Sequence, residues 1–305
     1  MPRCPRRASR LGIRLAAAVM AMLVCAPALV GCGHVQVTTV SGAPEGPTIA
    51  IGVPADEPAI GAWHDGEYEG FDVTVAKYVA AKLGYANKQI IFKQVRPETR
   101  FAMLDDGQVD MVVASWPVTD GSMSQVDFAG PYLQTGVGLL VRVDDRDRFI
   151  GGDDDVSGDL SAVGRDLSDR IICAVKGDET VALFHASHPE VTVRPRSSYA
   201  QCVTALQVGS ADAIVADSAV LSGLRSANGP QYMTVLEDRG AVRYGIAVGK
   251  GDSQLAEEIA EALQDMVRDG DLSAAQDRLH RNTGLATTTG DNPRAIVSDA
   301  DSTTE

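Results

Sequence analysis

The stretch VDMVVASWPVTDGSMSQVDF, residues 109–128, decides how this chain is read. Its apolar opening, residues 109–114, has the length and composition of a buried strand. The loop after it, residues 115–128, contains two acids, Asp120 and Asp127, and no Lys or Arg. Loops at the carboxyl ends of strands in open α/β sheets are where ligands settle, so this is a candidate binding loop without positive charge of its own.

Outward from it, apolar runs alternate with helical periodicity. Residues 48–53 predict a strand; Asp72 predicts the cap of a helix with Val75, Val79 and Leu83 on one face, stopped at Gly84; residues 89–95 predict a strand and 98–104 a short helix. With residues 109–114 the order is βαβαβ. A second such unit follows, with strands at 171–175, 191–194 and 213–216. Its helices are expected at 179–185, at 198–206 behind a capping box of Ser198 and Gln201, and around Val220. Extended segments at 136–143 and 242–248 lead into and out of this unit, and helices at 254–267 and 272–281 follow. Two similar units joined by two crossings predict two lobes with a cleft that closes on a small molecule. Lobe 1 is expected at 48–135 plus 246–285, and lobe 2 at 136–245.

The two ends read differently. Arg3, Arg6, Arg7, Arg10 and Arg14 precede an apolar run at 15–30 that is short for a membrane span, which predicts a secretory signal peptide over 1–31. LVGC at 29–32 matches the lipobox of bacterial lipoproteins, in which the Cys is acylated and becomes the new N-terminus. Cys32 is thus expected to carry lipid, including palmitate, with 32–47 as a linker and the chain tethered on the extracellular face of the cytoplasmic membrane. An ordinary signal peptide with a chance Cys is the competing reading. Residues 286–305 are polar and expected to be a disordered tail. Cys4 and Cys25 leave with the signal and Cys32 goes to lipid, so Cys173 and Cys202 remain as a pair in an oxidising compartment. A disulfide between them is expected, two buried thiols being the alternative. The formal net charge of −14, made more acidic by loss of the Arg-rich signal, argues against nucleic acid as a partner.

Four segments then carry a resemblance: EGFDVTVAKYVAAKLG (69–84), VDMVVASWPVTDGSMSQVDFAGPYL (109–133), YAQCVTALQVGSADAIVADSAVL (199–221) and YGIAVGKGD (244–252). Over about residues 49–284 the chain resembles the amino-acid-type extracellular solute-binding proteins of ABC importers, most closely the actinobacterial glutamate/glutamine-binding lipoproteins. The resemblance implies an α/β, two-lobe periplasmic-binding-protein-like fold of type II with two crossover strands. It also implies a monomer without cofactor or catalytic residues, with a small solute and membrane permease subunits as partners. Cys173 and Cys202 are similar to the paired cysteines of the actinobacterial subgroup.

Such a protein holds a zwitterion with a carboxylate near its ammonium and an Arg fork plus helix-start N–H groups at its carboxylate. The ammonium partner implied here is Asp217, at the end of ADAIVAD. The Arg is missing: the family pattern T-x-x-R-x-x-x-V-x-F falls on Thr119 to Phe128 with Ser122 at the Arg position, and Pro117 stands where many members carry a hydroxyl. A Ser cannot replace a bidentate charged donor, at a cost of about 1.5–3 kcal/mol per charged hydrogen bond forgone.

The remaining ligand-binding candidates are Asp56 and Glu57 after the first strand, Ser115 and Trp116 in the quoted loop, and Glu179 and Thr180 in KGDET. Asp178 and Glu179 complement a helix start or, beside a ligand, favour a cation. Trp116 is either a wall of the site or a hinge-side core aromatic. Arg100 either replaces the missing Arg or makes an ion pair within its own lobe, and Lys176 either compensates charge or is a solvated loop residue. His185 and His188 are too few for zinc, so no metal site is expected. With no nucleophile elbow, phosphate loop or dinucleotide fingerprint, no enzyme is expected. An enzyme on this fold would need a cleft acid such as Glu57 or Glu179. The expected function is capture of a small polar amine-bearing solute for an importer, and the rival is a sensing receptor of the same fold with a degenerate pocket.

Overall fold

A computed structural model describes residues 47–150, 160, 167–286 and 292–297. The signal peptide expected over 1–31, the lipidation at Cys32 and nearly all of the 32–47 linker lie outside the described residues. The described residues all belong to one compact unit.

The first half builds β1 (Ile49–Val53), a small antiparallel sheet of β2 (Asp56–Glu57), β3 (Gly61–His64) and β4 (Glu67–Glu69), then α1 (Phe71–Lys82), β5 (Ile90–Gln94), α2 (Arg100–Asp105) and β6 (Met111–Val112). A short helix α3 (Asp120–Met123) leads into β7 (Asp127–Arg142). The second half builds β8 (Ile171–Val175), α4 (Thr180–Ser187), β9 (Thr192–Arg196), α5 (Tyr199–Gln207), β10 (Ala213–Asp217), α6 (Ser218–Asn228) and β11 (Met233–Val248). The chain then packs α7 (Ser253–Arg268) and α8 (Asp271–Thr283), and β12 (Arg294–Ile296) pairs with β7.

The strand order is β5-β1-β6-β11-β7-β10-β8-β9. Parallel β1, β5 and β6 lie on one side and parallel β8, β9 and β10 on the other, as expected for two βαβαβ units whose helices cover the sheet. Between them run β7 and β11, antiparallel and 16 residues each, longer than the crossings predicted at 136–143 and 242–248. Their apolar faces are buried throughout, which lets one ribbon serve both lobes: Phe128, Tyr132 and Leu133 pack on the β1 side, Leu139 and Val141 on the β10 side. The register of β11 slips between Asp238 and Ala241, halfway along, where a bulge bends the ribbon. This is the two-lobe α/β architecture with two crossover strands.

Two expectations are corrected, and one unassigned stretch gains structure. Asp72 does not cap α1: Gly70 is the cap, Asp72 sits in the first turn, and its carboxylate is engaged across the lobe. Residues 56–69, without assignment from sequence, make the small sheet, whose strands are too short to show a period. Part of the expected tail is ordered, because Ile296 packs against the cluster of Trp116, Val112 and Phe128, while Pro293 C=O accepts from Gln264. Cys173 on β8 and Cys202 on α5 form a disulfide, with 5.6 Å between their Cα atoms.

Candidate functional site

The floor of the cleft is built from acids and tyrosines. Ser115, three residues after β6 and with φ of 42°, turns its N–H to Asp72 Oδ2 (2.6 Å) and its hydroxyl to Glu57 Oε2 (2.7 Å). Tyr132, on β7, donates to Asp72 Oδ1 (3.0 Å). Across the cleft, Asp217 ends β10 and caps α6, its Oδ1 accepting from the N–H of Ala219 (2.9 Å) and Val220 (3.1 Å). Tyr244, on β11, donates its hydroxyl to the same oxygen. The rings of Tyr132 and Tyr244 meet edge-on at 5.9 Å, so one tyrosine from each crossover strand holds one lobe's aspartate.

Glu57, Asp72 and Asp217 are each at most 2% exposed. Burial raises Glu57 well above the usual carboxylate range, opposed by the Ser115 hydroxyl and reinforced by Asp56, Asp72 and Asp217. Asp72 is pushed up to about 7 by burial, with Asp217 adding to the rise and its hydrogen bonds opposing it. Asp217 is likewise pushed to about 7 by burial, with Asp178 adding. Desolvated carboxylates near one another favour protons or a cation.

The rim joins the lobes. Asp56 accepts from the Tyr199 N–H at the start of α5 (2.9 Å), and burial raises its pKa. Glu179, before α4, reaches into lobe 1: Oε1 accepts from Trp116 Nε1 (3.0 Å) and Arg100 Nη2 (3.4 Å), and Oε2 from Thr119 Oγ1 (3.3 Å). Arg100 is 2% exposed, lies 4.3 Å over the Trp116 ring and donates to Ala114 C=O. The intralobe ion pair expected for Arg100 is thus replaced by one across the cleft, because the α2 start faces the KGDET turn. Asp178 points the other way, accepting from Thr180 N–H and Oγ1 and from Tyr199 Oη. At two points the lobes touch so closely that a side chain does not fit: an added Cβ on Gly177 would come within 2.8 Å of Pro97 and Glu98 backbone, and one on Gly223 would overlap the Pro58 carbonyl oxygen.

Asp56 and the Glu179–Trp116 pair therefore meet across the lobes, and Glu57, Ser115 and Asp217 belong to the buried acid cluster, whereas Thr180 is buried beside Asp178. Ser122 is placed differently: its hydroxyl donates to Pro117 C=O (2.8 Å) and accepts from Thr119 N–H (2.9 Å), closing the capping turn of α3. Thr180 has its hydroxyl taken by Asp178. Asp72, Thr119, Tyr132, Tyr199 and Tyr244 are not among the ligand-binding candidates that the sequence offers. The T-x-x-S of Thr119 to Ser122 carries the signal of a capping turn, whereas the tyrosine contacts span 27 and 60 residues and leave none. A cavity of about 570 Å³ opens beside Glu179, between residues 117–122, Leu183 and Arg243. Among the described residues no group of three or more His, Cys, Asp or Glu is placed to hold a metal ion; His188 instead meets Asp238 at 3.2 Å.

Comparison with known proteins agrees with this architecture. The family described as bacterial extracellular solute-binding proteins, family 3, matches residues 49–281. The ABC transporter glutamine-binding protein GlnH of Bacillus subtilis (strain 168) is 33% identical over 224 residues, covering 73% of this chain and 77% of that protein. The glutamate-binding protein GluB of Corynebacterium efficiens is 30% identical over 273 residues, covering 86% and 88%. Among solved structures, an ancestral arginine-binding protein bound to glutamine has a TM-score of 0.65 at 27% identity over 79% of this chain and 100% of that one. The solute receptor for L-cysteine of Neisseria gonorrhoeae has a TM-score of 0.67 at 26% identity, covering 78% and 92%. With its twin βαβαβ lobes, its ribbon of two crossover strands and this match over most of its length, the chain belongs to the bacterial extracellular solute-binding proteins of family 3.

Proposed function

We propose that the protein is a lipid-anchored extracellular receptor that captures a small polar amine-bearing solute, an amino acid or a relative of one, and presents it to the membrane subunits of an ABC importer. The observation that carries the ligand class is the buried floor of Glu57, Asp72 and Asp217, three acids whose raised pKa values would be relieved by a bound cation. Asp217 is the ammonium partner in this reading, with Glu57 and Asp56 beside it, Ser115 and Trp116 shaping the wall and Thr180 the helix start. Ser122 leaves the loop without the usual anion clamp. The relatives named for glutamine and glutamate support the amino-acid class, the lipobox at 29–32 supports acylation of Cys32 and tethering, and a monomer is what the family resemblance implies. Closure of the lobes would form the surface that a permease reads.

A thermal-shift titration against amino acids and amines tests the reading. A specific ligand at about a hundredfold excess over its dissociation constant stabilises by roughly 2.7 kcal/mol. Asp217→Asn keeps the helix cap and removes the charge, and it is expected to abolish the shift; a shift unchanged in that variant refutes Asp217 as the partner. A second reading, a sensing receptor with a degenerate pocket, draws on the direct Glu179 and Asp56 contacts between the lobes, and it predicts no shift with any solute on an intact fold.

A further inference from the structure

The donors that meet Glu179 are the set a bound carboxylate requires. Arg100 Nη2 and Trp116 Nε1 share one oxygen and Thr119 Oγ1 takes the other, all from lobe 1, while Glu179 itself comes from lobe 2. Arg100 has no slack to serve a second anion: it is buried, stacked on Trp116 and tied to Ala114 C=O. The acids of the floor lie near one another, Asp56, Glu57 and Asp72 from lobe 1 and Asp217 from lobe 2, with Arg96 acting on Asp56, and Arg243 lines the cavity that opens beside Glu179. A ligand carboxylate that takes these donors must displace Glu179 from them and then lie against the displaced carboxylate. An ammonium or guanidinium meets no such obstacle.

We propose that Glu179 is the cleft's built-in carboxylate, holding the anion donors of lobe 1 from across the cleft and restricting the ligand to a cation that carries no carboxylate, an amine or guanidino-amine rather than an amino acid. This rests on the reading of the cleft as a solute site and narrows its ligand class. Glu179 is a specificity-determining residue: it fills the carboxylate position that an amino acid would need, and it braces the closed lobes while doing so.

The test is isothermal titration calorimetry on the full chain, its disulfide intact, with probe pairs that differ only by an α-carboxylate: agmatine against L-arginine, 1,5-diaminopentane against L-lysine, and 4-aminobutanamide against L-glutamine. The wild type is expected to bind at least one of the amines ten times or more tighter than its parent amino acid. Glu179→Ala frees Arg100, Trp116 and Thr119 and is expected to bring that ratio to one or below by gaining amino-acid affinity; Glu179→Gln, which keeps the shape, moves it the same way. Circular dichroism of both variants checks the fold. If the wild type binds an amino acid as tightly as its amine, or if neither variant changes the ratio, the proposal is overturned while capture of an amine-bearing solute stands. If no probe binds any of the three proteins, the proposal and the solute reading fall together.

Discussion

The acids under the cleft make the stability of the ligand-free protein run opposite to the usual acid denaturation. Asp72 and Asp217 titrate at about 7 in the fold against 3.8 in the unfolded chain. Between those values the folded state holds protons that the unfolded state has released, so stability falls as pH rises from about 4 to 7 and is flat above. At 1.36 kcal/mol per unit, moving from pH 7.5 to pH 5 returns about 3 kcal/mol for one such aspartate. Because each carboxylate raises the other, the pair returns less than twice that. Glu57, also raised, acts in the same direction. The carboxylates that are lowered, Asp145, Asp265 and Asp269, lose their contribution below pH 4 and leave this window untouched. In a protein of this size about 3 kcal/mol corresponds to roughly 6–12 °C in Tm. Calorimetric melting of the wild type, Asp72→Asn and Asp217→Asn between pH 5 and 7.5 is the assay, and the difference in pH slope isolates the two sites. Each variant is expected to be less pH-dependent than the wild type and more stable at pH 7.5. Variants that melt in parallel with the wild type across the whole range would show that the cleft acids do not carry this linkage. A cationic ligand bound near pH 7 should also release protons, visible as a dependence of binding heat on the buffer.

Other outcomes follow from single contacts. Gly223→Ala places a Cβ against the Pro58 carbonyl and holds the lobes apart; an overpacking penalty of about 1–3 kcal/mol on the closed state weakens apparent affinity roughly five- to 150-fold, with a larger radius of gyration in small-angle scattering. His188→Ala removes the imidazole that lies 3.2 Å from Asp238, whose side chain is 0% exposed, and is expected to cost about 1–3 kcal/mol in urea melts, most of it recovered by adding Asp238→Leu. Reducing Cys173–Cys202, which are 29 residues apart, is expected to cost roughly 3.5 kcal/mol from loop-closure entropy, seen as a lower urea midpoint with the fold retained.

The lobes were legible because each depends on signals within about a dozen residues: the apolar runs of β1, β8 and β10, the helix start at Ser198, the stop at Gly84. The ribbon was legible in part. Its central residues read as extended, but its length depends on pairing between β7 and β11 from opposite ends of lobe 2, which no local period reports. At the site, the acids Asp56, Glu57, Glu179 and Asp217 stood out by type, and the departure at Ser122 by its place in a pattern. What they touch did not. Arg100 and Glu179 are 79 residues apart, and nothing in spacing tells an ion pair within one lobe from one between two. Ser122 shows the reverse: its contacts are local, and the capping turn that occupies its hydroxyl was available from the Thr119 to Ser122 spacing alone.

The contact between Trp116 and Glu179 has a practical consequence. The chain has two tryptophans. Trp63 is 53% exposed and will emit as a solvated indole whatever the lobes do, whereas Trp116 is 2% exposed, stacked under Arg100 and bonded through its N–H to the opposite lobe. Parting the lobes breaks that bond and wets that ring. In a Trp63→Phe background the protein is therefore its own optical gauge, its emission shifting to longer wavelength on opening, so that the speed of the motion can be followed in a stopped-flow cell without attaching a dye.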